Sequence, residues 1–155
     1  MRYIALCLLL WLSVPTRAQD TMAVERHDTV RFVHMPYDTF TSLVRFENKP
    51  YIILFTAPWC VPCQRIKKEV FTDPQIAALV NNNYLAYYID LENFDDLEVN
   101  SKVFHVEQLP TIYFFDPRGR LVDKAVGFFD AHYMWRKVRE HIPPSQRGAD
   151  WQGED

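Results

Sequence analysis

The chain has 155 residues, 48 % hydrophobic and 24 % charged, with a net charge of −3 and only four glycines. Length and composition are those of one packed domain and exclude disordered, collagen-like and low-complexity classes. The acidic balance argues against nucleic acid as a partner. The glycines, at Gly119, Gly127, Gly148 and Gly153, allow no GxGxxG or GxxxxGK[ST] phosphate loop.

Residues 1–18 read as a signal peptide. Arg2 precedes an apolar run from Tyr3 to Leu12, and Thr16 and Ala18 stand at −3 and −1 of a cleavage point. The run is shorter than the roughly 20 apolar residues a bilayer requires, so no stable membrane anchor is expected. A buried N-terminal helix is the competing reading. Cys7 sits inside the run rather than at its end, which argues against lipid attachment. Removal of residues 1–18 leaves two cysteines, Cys60 and Cys63.

Residues 19–28 form a polar lead-in, 29–142 the folded domain, and 143–155 a flexible C-terminal tail. Thr29 to Val33 reads as a strand, and Asp38 as the cap of a short helix ending at Asn48-Lys49-Pro50. Tyr51 to Phe55 is a continuous apolar run, the pattern of a strand buried on both faces. A helix should run from the cysteines to Val70, and a second should start at Thr72-Asp73-Pro74. Tyr84 to Ile89 reads as another buried strand, and Asp95 to Phe104 as a helix. Thr111–Phe115 and Leu121–Val126 flank Asp116-Pro117-Arg118-Gly119 as a hairpin. Asp130 caps a last helix to about His141, and Pro143-Pro144 ends it.

The chemistry concentrates at Trp59-Cys60-Val61-Pro62-Cys63. Cysteines three apart at a helix start lie close enough to make or break a disulfide. Cys60 falls at the helix N-terminus, where unpaired N–H groups and the helix dipole favour a thiolate. Cys63 shares a face with Ile66 and Val70 and should point inward. That asymmetry makes Cys60 the nucleophile and Cys63 the resolving thiol. A disulfide closing so small a loop contributes little to stability, so a redox role fits it better than a structural one.

These residues resemble the thioredoxin family over about Thr29 to His141. The likeness rests on an apolar strand leading into Ala57-Pro58-Trp59-Cys60-Val61-Pro62-Cys63, then on Leu109-Pro110-Thr111, then on Gly119 and Gly127 around the hairpin. It implies the α/β thioredoxin fold, a central mixed β-sheet flanked by helices in a single domain. It also implies a cis Pro110, and substrate contacts from Trp59, Leu109 and Pro110, with the Leu109 backbone pairing with an extended substrate. Cys-Val-x-Cys followed by Phe71-Thr72-Asp73-Pro74 resembles the periplasmic C-terminal domains of the DsbD family of membrane thiol reductases. One departure stands out. The family places a buried acid six residues before the first cysteine, where this chain has Leu54.

The expected function is that of an exported thiol–disulfide oxidoreductase, a reductase of disulfides in other exported proteins. The bacterial periplasm is the expected location and a membrane-bound thiol reductase the expected electron donor. The dithiol carries two electrons itself, so no bound cofactor is required. Two other readings stay open: a copper(I)-binding thiol protein, since soft thiolates suit that ion, and a non-catalytic thioredoxin-like interaction module. Zinc fits poorly, because the chain offers neither a second cysteine pair nor an HExxH. The strand aromatics read as core, and the acidic stretch Asp90–Asp96 as a solvated loop and helix start.

Overall fold

The computed structural model describes residues 29–147 and 150–152; the expected signal peptide and lead-in lie outside the described residues. Five strands form one mixed sheet in the order β1-β3-β2-β4-β5. They are β1 (Phe32–Val33), β2 (Tyr51–Thr56), β3 (Leu85–Asp90), β4 (Thr111–Phe115) and β5 (Leu121–Val126). The strands β1, β3 and β2 run parallel, while β4 and β5 run antiparallel to their neighbours. The helices are α1 (Tyr37–Glu47), α2 (Val61–Glu69), α3 (Pro74–Asn83), α4 (Phe94–Val99) and α5 (Ala131–Glu140). A π-helical turn covers Asn100–Phe104 and a 3₁₀ turn Pro144–Gln146.

The central strand β2 is buried along its whole length. Its alternate residues serve two cores. Ile52 and Leu54 pack with Ile66 of α2, Ile76 of α3 and Met134 of α5. Ile53 and Phe55 pack with Phe40 and Val44 of α1 and with Tyr87 of β3. Fully burying each such side chain contributes about 1.5–3 kcal/mol, so the apolar run fixes β2 as the middle of the sheet. The Phe40 and Tyr87 rings stack 4.3 Å apart and lock α1 onto the second face.

Local chemistry sets most element ends. Asp73 Oδ1 accepts from the N–H groups of Gln75 and Ile76, with Pro74 in the first turn of α3. Asp130 caps α5 through the Tyr133 N–H, and Asn48 ends α1 in the left-handed region. In the β4–β5 turn, Gly119 takes φ +79° and Asp116 Oδ1 accepts from the Arg118 and Arg120 N–H groups.

Three expected boundaries are corrected. The first strand is Phe32–Val33 rather than Thr29–Val33, because Val30 donates its N–H to the Phe71 carbonyl and Arg31 donates to Asn81 Oδ1. Pro36, not Asp38, is the N-cap of α1, and Asp38 lies in its first turn. The helix expected over Asp95 to Phe104 is instead α4 over Phe94–Val99, capped by Asn93, followed by the π-helical turn Asn100–Phe104. The polar stretch beyond Pro143 touches the domain where it is described: Trp151 stacks on His132, Asp150 pairs with Arg139, and the Gln152 N–H donates to Gln75 Oε1.

Candidate active site

The strand β2 delivers the chain to the cysteines. After Thr56 the backbone turns so that the Cys60 N–H donates to the Ala57 carbonyl over 3.1 Å. Cys60 is then the N-cap of α2, with Pro62 in the first turn, and its Sγ accepts from the Cys63 N–H over 3.3 Å. The sulfur therefore lies among the unpaired N–H groups at the positive end of the helix, surroundings that favour a thiolate once the disulfide opens. Gln64 reaches back from α2 to donate to the Pro58 carbonyl and closes the turn.

Cys60 and Cys63 are joined in a disulfide with their Cα atoms 5.2 Å apart. Cys63 is fully enclosed, on the same face of α2 as Ile66. Cys60 keeps 4 % exposure and lines an open cavity of about 410 Å³ with Trp59, Val61, Pro62, Leu91, Glu107 and Leu109. Trp59 and Val61 stand mostly exposed on its rim. Cys60 lines this mostly apolar cleft and Cys63 does not, so the two cysteines differ in their access to it.

The Leu109–Pro110 peptide bond is cis, and Leu109 packs on Cys60, Cys63 and Ala57. The Pro110 carbonyl accepts from the Gly127 N–H over 2.8 Å. Gly127 has φ +85°, which a side chain would strain. Its neighbour Phe128 lies under the Arg65 guanidinium, 4.0 Å from the ring centre, which ties the end of β5 to α2.

Asn100 is a supporting residue that sequence reasoning missed. It is buried in the π-helical turn, its Nδ2 donates to the Val106 carbonyl, and its Oδ1 accepts from the Val106 N–H, each over 3.0 Å. Both bonds hold the segment that leads into Glu107, Leu109 and Pro110. An asparagine near the end of a helical run carries no signal of this, because its partner is set by the turn that follows. On the other rim, Asp96 Oδ2 accepts from the Asp90 N–H over 2.8 Å and orders the chain beside Leu91. Burial pushes the Asp96 carboxyl above its usual range, and that hydrogen bond offsets part of the rise.

Leu54 is enclosed beneath α2 in the same apolar cluster as Ile66. The position six residues before Cys60 thus offers no proton to either sulfur. Away from the cysteines, Asp123, Glu140 and His141 gather within 4.8 Å of one another. Lys137 Nζ lies 2.6 Å from Asp123 Oδ2, so an ammonium already fills the place a cation would take. A cavity of about 440 Å³ between α3 and α5 is lined by neither cysteine nor histidine.

Among the described residues no helix is long and apolar enough to cross a membrane. Residues 25–142 match the thioredoxin-like domain family. The thiol:disulfide interchange protein DsbD of Escherichia coli O6:K15:H31 (strain 536 / UPEC) is 30 % identical over 154 residues, which cover 92 % of this chain and 27 % of that protein. The chain therefore spans about a quarter of the length of that relative. A thioredoxin from Thermus thermophilus superposes with a TM-score of 0.63 at 19 % identity, covering 72 % of this chain and 86 % of the other. The oxidised C-terminal domain of Neisseria meningitidis DsbD gives 0.57 at 13 % identity, covering 73 % and 100 %. At those identities the two structures speak to the fold alone. Family model, fold and site agree: the chain belongs to the thioredoxin-like domain family, with its Cys60–Cys63 disulfide at the N-terminus of α2.

Proposed function

We propose that the protein is an exported thiol–disulfide oxidoreductase that reduces disulfides in other exported proteins. Cys60 is the nucleophile. Its thiolate attacks a substrate disulfide, forms a mixed disulfide and releases one substrate thiol. The Cys63 thiolate then attacks Cys60 Sγ, restoring the Cys60–Cys63 bond and freeing the second substrate thiol. Two electrons pass from the dithiol to the substrate, and the released thiolates take up protons from solvent. Trp59, Leu109 and Pro110 form the docking face for the substrate segment.

The observation that carries this reading is that Cys60 caps α2 through its Sγ and lines an open apolar cleft, while Cys63 is fully enclosed. The apolar run Tyr3–Leu12 supports export and the bacterial periplasm as the site of action. A reductase in an oxidising compartment needs a donor, and the likeness to DsbD supports a membrane-bound thiol reductase in that role. The test is reduction of insulin with dithiothreitol as electron source. The wild type should accelerate it and Cys60→Ser should not; equal rates for the two would overturn the proposal.

A further inference from the structure

Among the described residues that line the cavity of about 410 Å³ beside Cys60, Glu107 alone carries a charged side chain. The volume falls in the range of sites that hold a small ligand, so groups on its wall act on the same bound segment. Glu107 is exposed, and among the described residues its carboxylate forms no ion pair. Its backbone is nevertheless anchored on both flanks. Asn100 bonds to both main-chain groups of Val106, and the Thr111 hydroxyl donates to the Gln108 carbonyl over 2.7 Å. A carboxylate with no task in the fold is thus carried on a fixed segment at the wall of the Cys60 cleft.

The charges around the cleft have the same sign. Leu91, also on its wall, is flanked by Asp90 and Glu92, with Asp95 and Asp96 a few residues further on. Nearby basic groups are committed elsewhere. Arg65 of α2 is paired with Glu69 and lies over the Phe128 ring, and Lys102 is paired with Glu98. Lys124 and His105 line a second cavity of about 210 Å³, which Glu107 also borders, and not the one at Cys60.

We infer that Glu107 is a specificity-determining residue that selects disulfide-bearing segments with a lysine or arginine close to the cysteine. The inference rests on the oxidoreductase reading and names the substrate class of the same site. When such a segment docks, its disulfide meets Cys60 and its basic side chain meets the Glu107 carboxylate. Docking expels water from the cleft, and opposite charges there attract more strongly than in bulk solvent. An acidic side chain in the same place meets a like charge with no cation on the wall to offset it. Glu107 takes no part in the bond changes: electrons pass between sulfurs, and the carboxylate neither gives nor takes a proton. Its effect therefore falls on KM rather than on kcat.

The experiment uses three disulfide-linked peptide dimers that differ only in the residue beside the cysteine: lysine, glutamine or glutamate. Each is reduced by the wild type, Glu107→Gln and Glu107→Lys with dithiothreitol as electron source. Every kcat/KM is divided by the rate constant of that peptide with dithiothreitol alone, which removes differences in thiol acidity. The wild type should favour the lysine peptide over the glutamate peptide about fivefold, the size of a partly exposed ion pair, and chiefly through KM. Sodium chloride at about 1 M, where the screening length is about 3 Å, should remove most of the preference. Glu107→Gln should level the three peptides, and Glu107→Lys should reverse their order. A wild type without preference would overturn the inference, as would a preference that survives in Glu107→Gln. If the folded wild type reduces none of the three peptides, the oxidoreductase reading itself fails.

Discussion

Cys60 Sγ accepts a hydrogen bond from the Cys63 N–H over 3.3 Å, so one reactive sulfur doubles as the N-cap of the helix that carries the other. Replacement of the first cysteine therefore tests chemistry and capping separately. Serine is a good N-cap, so Cys60→Ser should keep α2 while abolishing disulfide reduction. Cys60→Ala should lose the activity and about 1 kcal/mol of stability as well. Cys63→Ser should accumulate a mixed disulfide with substrate. Denaturant melts and non-reducing electrophoresis of the three variants check these outcomes.

Asn100 makes both of its backbone hydrogen bonds to Val106, just ahead of the Glu107–Pro110 segment. Asn100→Ala strands the Val106 N–H and carbonyl in a buried setting and should cost about 2–4 kcal/mol. The loosened segment should also raise KM for a protein disulfide more than it lowers kcat. Urea unfolding and steady-state insulin reduction measure the two effects.

Leu54 fills the place where the family carries an acid, in contact with the core beneath α2. Leu54→Asp should destabilise the fold by roughly 2–4 kcal/mol, since a carboxyl replaces a well-packed apolar side chain. It should at the same time quicken single-turnover disulfide exchange near neutral pH. Slower or unchanged exchange in the folded variant would count against a proton-limited second step.

Asp123 joins β5 to α5 through Lys137 and His141, with Oδ2 at 2.6 and 3.0 Å from the two nitrogens. Partial burial pushes its carboxyl up, but the hydrogen bonds from Lys137, His141 and the Lys124 backbone outweigh this and hold it below the usual range. A carboxyl depressed in the folded state stabilises the protein above its unfolded pKa and loses that contribution as pH falls through the folded value. Asp123→Asn should thus cost about 1 kcal/mol or less at neutral pH, since the pair is still partly open to solvent. The difference from wild type should vanish in strong acid. Thermal melts from neutral to acid pH would show the two curves converging.

Most of the architecture is legible in the sequence because it rests on local signals. The apolar run Tyr51–Phe55 identifies the central strand. Asp73-Pro74 and Asp130 cap helices through their own next few residues, and the Asp116–Gly119 turn sets the hairpin register. The Cys60–Cys63 pair and Leu109-Pro110 are legible by motif, and the fold brings them into contact. What escapes the sequence depends on partners distant in the chain. Strand β1 shrinks to two residues because Val30 and Arg31 spend their N–H groups on Phe71 and Asn81. The turn at Asn100 exists only in the packed protein, so no local pattern of residue types announces it.

The central claim is that the sulfur at the α2 N-cap ionises easily. Its most direct test is the pH dependence of iodoacetamide alkylation of Cys60 in the reduced protein, followed by mass spectrometry of the labelled peptide. The account predicts a midpoint within the roughly 3.5–7.5 range of helix-capping thiolates, with Cys63 unlabelled until higher pH. A Cys60 midpoint at the ordinary thiol value of about 8.5 would contradict it.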